Sequence, residues 1–249
     1  MKTKFIKTAK ELIYMRISGK ILAEIFKGVE KMVKPGVSSI EIEHFIVDKA
    51  KKMNVGCSFK GFNGYKYCSC ISVNNMVVHN LPGKNRFNSG DIVSIDIGTS
   101  YKGFHSDKAV TLAVGKISSE RQKLIDTGKK ALAEAIKIIK PGIEINKIGE
   151  KIQNVIEKNN FFVIRDLAGH GIGQRIHEPP TIYNFKTSYI HTRLQKGMCI
   201  AIEPMLGERT GKIKVHKNGW GISTADNSDS CHFEDTIEVA ETSARILTR

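Results

Sequence analysis

The sequence repeats itself, and this repeat restricts the possible folds more than any other feature. A glycine-lysine pair begins a helical pattern at residue 19 and again at residue 128, and each pattern runs to a Lys-Pro-Gly triplet, at residues 34–36 and 140–142. Proline followed by glycine ends a helix, and a second helical pattern follows in both places. Each half of the chain is therefore predicted to open with a pair of helices.

The repeat continues into predicted strands. Residues 90–96 match residues 197–203 at an offset of 107, and each is an apolar run that starts at a glycine and ends at a carboxylate, Asp96 or Glu203. Such runs, bounded by turn residues, are typical of strands. A His-x-x-Pro segment also occurs in each half, at His79 and at His177. Chance similarity among abundant Lys, Ile and Gly is the alternative, but several matches in one order predict an α+β fold with pseudo-twofold symmetry.

Length and composition agree with one globular domain. We expect residues 1–249 to form a single domain of two halves, about 1–115 and 116–249. No apolar run approaches the roughly 18 residues of a membrane span, and no secretory signal precedes the first helix, so a cytoplasmic protein is expected. The five cysteines are irregularly spaced and are predicted to be free thiols. The formal charge of +14 indicates either a nucleic-acid or ribosome contact or a solvated lysine surface.

Two aspartates on neighbouring strand patterns predict a cation site. Strand alternation places Asp96 on the face opposite Ile95 and Ile97, and an unpaired carboxylate is costly to bury. If Tyr101 and Lys102 are the central residues of a turn, Asp96 lies directly opposite Asp107. Two carboxylates held so close repel each other unless a proton or a cation lies between them.

The second half supplies similar groups with longer side chains. Glu203 ends its strand pattern, Glu234 lies in another, and His170 stands in the glycine-rich segment 169–173. Together with the two aspartates these residues carry four negative charges, which would balance two divalent cations. Oxygen ligands with one imidazole favour Mn, Fe or Co, with Zn also suitable. Taken singly, each residue is more often a cap, an ion-pair partner or a structural histidine, and the glycine-rich segment lacks the Lys-Ser/Thr ending of a phosphate loop.

At these residues the sequence resembles the type I methionine aminopeptidases, which have the pita-bread fold, a pseudo-twofold curved antiparallel sheet with helices on its outer face. The resemblance covers nearly the whole chain. The segments that carry it are Cys70–Asn74 with His79, Asp96 with Asp107, residues 169–173, residues 177–180, and residues 202–205.

The resemblance implies a site and an activity. Its implied metal ligands are the ones proposed above from charge: Asp96, Asp107, His170, Glu203 and Glu234. His79 and His177 would contact the scissile peptide, and Glu203 would carry a proton to the leaving amine. The pocket for a methionine side chain would be lined by Phe62, Tyr65, Cys70 and Trp220, although Phe62 and Tyr65 also suit plain core packing. The implied enzyme is a monomer that uses two divalent metals to remove initiator methionine from nascent chains when the second residue is small.

Five positions depart from the family pattern. Phe59 and Ile176 stand where Cys and Phe are more usual, and Asn63 stands where His is usual. Lys108 follows Asp107 in place of a small hydroxyl residue, and Asp235 follows Glu234 in place of His. Because neighbouring residues alternate across a strand, we expect Lys108 to point away from the carboxylates. None of the five removes a predicted ligand, so the departures bear on affinity and substrate range.

Two other functions remain open at the level of sequence. A proline-directed peptidase or a creatine-type hydrolase on the same fold is one, although such chains typically carry a large N-terminal domain, and only roughly 30 residues precede the first Lys-Pro-Gly here. A non-catalytic RNA- or ribosome-binding relative is the other, although such relatives usually lose metal ligands.

Overall fold

The computed structural model describes residues 5–249, and its helices follow the repeat. The four α-helices of this range are α1 Ala9–Met32, α2 Ser39–Lys52, α3 Ser119–Lys137 and α4 Ile145–Lys158, and a short 3₁₀ helix spans Phe62–Gly64. Capping explains where they begin: Thr8 and Glu11 form a capping box at α1, and the Ser118 side chain accepts a hydrogen bond at α3. The predicted helix pair in each half is confirmed.

The strands are short except for one central hairpin. In chain order they are β1 Gly56–Cys57, β2 Ser69–Val73, β3 Met76–Val78, β4 Ile92–Tyr101, β5 Phe104–Ala113, β6 Phe162–Val163, β7 Ala168–Gly171, β8 Glu178–Tyr183, β9 Cys199–Ile202, β10 Met205–Gly207, β11 Ile213–Val215, β12 Ile222–Thr224, β13 Ser230–His232, β14 Glu234–Val239 and β15 Ala244–Ile246. Within residues 5–249 the main sheet has nine strands, in the order β1-β4-β5-β14-β9-β7-β8, with β2 on β4 and β15 on β14.

The main sheet joins the two halves edge to edge. Strand β5 of the first half pairs antiparallel with β14 of the second, and Glu234 lies opposite Ala109. The Thr236 hydroxyl also accepts a hydrogen bond from the Asp107 amide and donates one to the Asp107 carbonyl, both at 2.8 Å. The two strands that carry predicted ligands are therefore held side by side across the pseudo-twofold junction.

The helices cover one face of this sheet and leave the other for a site. Ile95 and Ile97 of β4 pack with α1 and α2 in one buried cluster. Ile200 and Ile202 of β9 pack with α3 and α4 in a second cluster. Because side chains alternate along a strand, Asp96 projects from the opposite face.

The predicted register of the central hairpin is wrong by two residues. Lys102 and Gly103 form the turn, with φ of 52° and 77°, so Tyr101 pairs with Phe104 and Asp96 pairs with Ala109. A two-residue hairpin turn of this type requires positive φ at both central positions, which a turn ending in glycine satisfies best. Since strand side chains have a period of two, the shift keeps Asp96 and Asp107 on one face as diagonal neighbours.

The prediction that all cysteines are free is also wrong. Cys57 and Cys68 form a disulfide with their Cα atoms 5.0 Å apart, while Cys70, Cys199 and Cys231 are free. The cause is topological: β1 ends and β2 begins along the same edge of β4, which brings these two residues together. In residues 5–249, no helix has both the length and the apolar character needed to cross a bilayer.

Candidate metal centre

The structure gathers every predicted site residue around one cavity. The cavity has a volume of about 350 Å³ and opens on the sheet face that the helices leave free. The predicted residues that line it are His79, Asp96, Asp107, His170, His177, Glu203, Glu234, Phe62, Tyr65, Cys70 and Trp220. Residues far apart in sequence thus meet as the resemblance implies, while their individual roles stay predictions.

Two groups of potential metal ligands that share Glu234 lie at the polar floor of the cavity, beside a third group formed by Asp107, His170 and His177. Ligand atoms of Asp96, Asp107 and Glu234 lie within 4.8 Å of one another, and so do those of His170, Glu203 and Glu234. Asp96 and Asp107 come from the β4–β5 hairpin, His170 from β7 and Glu234 from β14. Glu234 belongs to both groups, so the two can share a ligand.

Burial makes this cluster unfavourable without a positive partner. In the protein alone, desolvation and then the Asp107 charge raise the pKa of Asp96, Glu203 and Glu234 well above their usual range. Burial raises the pKa of Asp107 itself to about 7. Asp96 Oδ1 and Glu234 Oε1 are buried without a hydrogen-bond partner. Carboxylates arranged in this way fit divalent cations, which neutralise the repulsion and use the free oxygens.

His170 is oriented to offer a nitrogen lone pair to the cluster. Its Nδ1 lies 3.0 Å from the Gly171 carbonyl, which can only accept, so Nδ1 carries the hydrogen and Nε2 is the free ligand atom. Nε2 lies 3.4 Å from Glu203 Oε1. Burial lowers the pKa of His170 to about 3, which keeps the ring in its neutral, metal-binding form.

The glycines beside His170 permit a close approach of strands. A Cβ at Gly169 would lie 2.4 Å from the Ala201 carbonyl oxygen, and one at Gly171 would lie 2.2 Å from the Pro179 carbonyl oxygen. Neighbouring backbone leaves no room for a side chain at these positions, which explains the glycines. The segment therefore needs no phosphate-binding role to account for its composition.

Two further histidines stand nearer the mouth of the cavity. The His177 ring lies 4.3 Å from the His170 ring and 5.1 Å from the Phe62 ring, measured between centroids. His79 follows β3 with a positive φ of 57°. Burial, with a smaller contribution from His177, lowers the pKa of His79 to about 4, so its ring is neutral near pH 7.

An apolar wall rises beside the carboxylates. Tyr65 and Trp220 meet edge to face with centroids 4.9 Å apart, and the Tyr65 hydroxyl donates to the Ser69 carbonyl at 2.9 Å. Cys70 is buried, whereas Phe62 is 39% exposed at the rim. Phe62 is thus placed for contact with a ligand, while Tyr65 is both cavity wall and buried packing.

Of the five departures, two line the cavity and two pair with each other. Phe59 and Asn63 belong to the wall, whereas Ile176 is buried in an adjoining apolar cluster. Lys108 Nζ lies 2.8 Å from Asp235 Oδ1, on the helix-covered face of the sheet. Lys108 and Asp235 are cross-strand neighbours, so the prediction that Lys108 points away from the ligands is confirmed.

Among the titratable residues that line the cavity, sequence reasoning missed one, His232. It is 2% exposed, lines the cavity, and has Nε2 3.7 Å from Glu203 Oε2 and 3.8 Å from Glu234 Oε2. Burial, assisted by His79, lowers its pKa to about 3. Alternation could have found it, because residues 232 and 234 share a face of an extended segment.

A pseudo-twofold α+β fold with buried carboxylates and imidazoles around one open cavity is typical of a metal-dependent enzyme. Residues 14–241 match metallopeptidase family M24. The chain is 39% identical to methionine aminopeptidase 1 of Bacillus subtilis (strain 168), with 98% of each covered, and 35% identical to the methionine aminopeptidase of Escherichia coli (strain K12), with 98% of this chain and 93% of the relative covered. The chain belongs to metallopeptidase family M24, and within it to the methionine aminopeptidases.

Solved structures agree on the fold. A crystal structure of methionine aminopeptidase from Thermotoga maritima superposes with a TM-score of 0.96 at 42% identity, covering 98% of both chains. A prolidase from Pyrococcus furiosus shares the fold alone, with a TM-score of 0.79 at 23% identity, and this chain spans 65% of its length. The predicted α+β pita-bread architecture is confirmed.

Proposed function

We propose that this enzyme hydrolyses the first peptide bond of chains that begin with methionine, preferably when the second residue is small. The observation that carries the proposal is one cavity with two kinds of lining, buried carboxylates at its floor and an apolar wall beside them. Tyr65, Cys70 and Trp220 offer sulfur and aromatic edges, and a thioether makes favourable contacts with such groups. The names of the similar proteins support the same activity.

The proposed cofactor is a pair of divalent ions held by Asp96, Asp107, His170, Glu203 and Glu234. Unpartnered buried oxygens on Asp96 and Glu234 support a site of this kind. When bound, divalent ions polarise a peptide carbonyl and lower the pKa of water. The donor set suits Co, Mn, Fe or Zn.

The protein's own groups would position the peptide and move the proton. His177 stands at the mouth, where its ring can donate to the scissile carbonyl and to the oxyanion that develops from it. His79, neutral near pH 7, would contact the peptide nitrogen or the tetrahedral intermediate. Glu203 borders the cavity and would take a proton from the attacking water and deliver it to the leaving amine as the C–N bond breaks.

The proposal also covers the domain organisation, the oligomeric state and the cellular location of the enzyme. We place residues 1–249 in one catalytic domain, with halves of about 1–115 and 116–249 serving one site, acting as a monomer on nascent N-termini in the cytoplasm. The net charge of +14 supports a lysine-mediated contact with the ribosome. Such a contact should weaken steeply as salt rises, and ribosome binding that ignores salt would contradict it.

Peptide hydrolysis tests the activity. Metal-free protein reloaded with Co, Mn, Fe or Zn should release methionine from Met-Ala-Ser, and Met-Leu-Ser should be a poorer substrate. Glu203→Gln should lower kcat by about 100-fold or more because the proton carrier is lost. Failure of folded, metal-loaded protein to release methionine would contradict the proposal. Faster cleavage of an Xaa-Pro peptide than of Met-Ala-Ser would favour the proline-directed alternative.

A further inference from the structure

His232 lies against the two glutamates of the proposed metal centre, and its backbone holds it there. The His232 amide donates a hydrogen bond to the Thr111 hydroxyl at 2.9 Å, and the same hydroxyl donates one to the His232 carbonyl at 2.9 Å. His232 also pairs with Met205 across β10 and β13, two residues beyond Glu203. Backbone contacts on both sides therefore fix where the imidazole can reach.

The side chain itself has no hydrogen-bond partner. Neither Nδ1 nor Nε2 of His232 bonds to another described group, although the residue is buried. Leaving a buried polar atom unpaired costs free energy, so an imidazole kept in this position needs a compensating interaction. The polar groups nearest to Nε2 are carboxylate oxygens of Glu203 and Glu234, at 3.7 and 3.8 Å.

The Glu203 carboxylate lies between two imidazoles, which differ in the ring nitrogen that can carry the hydrogen. His170 approaches Oε1 and His232 approaches Oε2. The Gly171 carbonyl fixes the hydrogen of His170 on Nδ1 and frees its Nε2 as a ligand atom. His232 Nδ1 has no such acceptor. Its hydrogen is therefore free to reside on Nε2, where it points between two carboxylates that can accept it.

We propose that His232 is a positioning residue, which orients the carboxylates of Glu203 and Glu234 for metal binding through its Nε2 hydrogen. At 3.7 and 3.8 Å the atoms lie beyond hydrogen-bond range, and a carboxylate rotation that shortens either distance to about 3 Å would form the bond. The inference rests on the proposed function, since it assigns those glutamates to the metal centre. Outer-shell donors to ligating carboxylates fix the orientation of those ligands, and their loss typically lowers metal affinity about 10- to 100-fold.

Metal titration of matched variants tests the role. Metal-free wild type, His232→Gln and His232→Leu would be titrated with CoCl₂ by calorimetry, with the visible absorption of Co²⁺ recorded at each step. Gln keeps an N–H at a similar reach, whereas Leu has none. For the site that binds Co²⁺ less tightly, we expect His232→Leu to raise the Kd about tenfold or more. We expect the Kd of His232→Gln to lie within about threefold of the wild-type value. The Co²⁺ spectrum of His232→Gln should match that of wild type, because the direct ligands are unchanged.

Controls separate this role from others. His191→Leu removes an exposed histidine and should bind Co²⁺ as wild type does. Circular dichroism of each metal-free variant reports folding, and His232→Met replaces His232→Leu if the latter fails to fold. Wild-type affinity in the apolar variants would overturn the proposal. Equal loss in the Gln and apolar variants with an altered Co²⁺ spectrum would also overturn it, in favour of direct ligation. Absence of Co²⁺ binding by wild type would instead refute the proposed metal centre.

Discussion

The two halves offer carboxylates from related strands, yet the strands end differently. In the first half β4 and β5 are ten residues each, so Asp96 and Asp107 lie inside a hydrogen-bonded hairpin. In the second half β9 stops after four residues at Ile202, and Glu203 lies just beyond it. The Glu203 carbonyl is held instead by Asn184 Nδ2 at 2.9 Å.

Because the strands end differently, the two halves contribute different parts of the site. Between β9 and β14 the chain leaves the main sheet and forms β10 to β13, and this excursion adds Met205, Trp220 and His232 to the cavity. The first half therefore supplies short carboxylates on a rigid support. The second half supplies longer ones together with part of the wall that a substrate would contact.

The largest effect is expected from removing one carboxylate in each half. Asp96→Asn and Glu234→Gln should each lower activity by more than about 100-fold, because each replaces a charged carboxylate ligand with a neutral amide. Both substitutions should also raise the thermal midpoint of the metal-free protein, since they relieve repulsion in a buried acidic cluster. Peptide assays and calorimetry measure the two effects. Retained activity in either variant would show that its half contributes no essential ligand.

The buried pair Lys108 and Asp235 tests how tightly the halves depend on each other. Asp235→Leu should destabilise the protein by about 3–5 kcal/mol, because it leaves the Lys108 ammonium buried without its partner. Lys108→Met should cost less, since Asp235 keeps the Thr248 hydroxyl and the Arg249 guanidinium at 2.8 and 2.9 Å. Urea unfolding of both single variants and the double variant gives the coupling energy. Purely additive effects would contradict the pairing.

The pH dependence of the metal-free protein follows from the raised carboxylate pKa values. Asp107 has a folded pKa of about 7, above its usual value, so the folded state holds a proton that the unfolded state has released between about pH 4 and 7. Stability of the metal-free protein should therefore fall as pH rises through this window, by an amount on the order of a few kcal/mol. Urea unfolding at pH 5, 6 and 7 measures the slope. Asp107→Asn should reduce this dependence of the unfolding free energy on pH. An unchanged slope in that variant would show that the dependence comes from groups other than Asp107.

The smallest effect is expected at the wall. Phe62 comes from the first half and Trp220 from the second, and both line the cavity. Phe62→Ala should raise KM for Met-Ala-Ser about threefold, and Trp220→Ala about tenfold, because partly exposed Phe62 loses less contact area. Neither should change kcat much if the wall only binds the side chain. A large fall in kcat for Phe62→Ala would indicate instead that Phe62 orients His177, whose ring it contacts.

Features that repeat along the chain could be predicted, whereas features that depend on a particular spatial neighbour could not. The Lys-Pro-Gly triplets recur with helical patterns on both sides, so both helix pairs could be predicted. The strands that carry Asp96 and Glu203 could be predicted because they recur at a fixed offset. The hairpin register was missed because Tyr101-Lys102 and Lys102-Gly103 are similar candidate turns, and only the backbone angles distinguish them. The Cys57–Cys68 disulfide depends on two strands sharing an edge of β4. His232 belongs to no motif of its own.

The Lys108–Asp235 contact limits how this chain can exchange parts with its relatives. One partner comes from each half, Lys108 from β5 and Asp235 from β14. A hybrid that kept the first half of this chain and took a second half without an acid at position 235 would bury the Lys108 ammonium without its partner beneath α1, where Lys108 also lies over the Phe26 ring at 5.6 Å. Loss of the acid at position 235 is therefore expected to require loss of the lysine at position 108, whereas Asp235 keeps Thr248 and Arg249 when Lys108 is replaced.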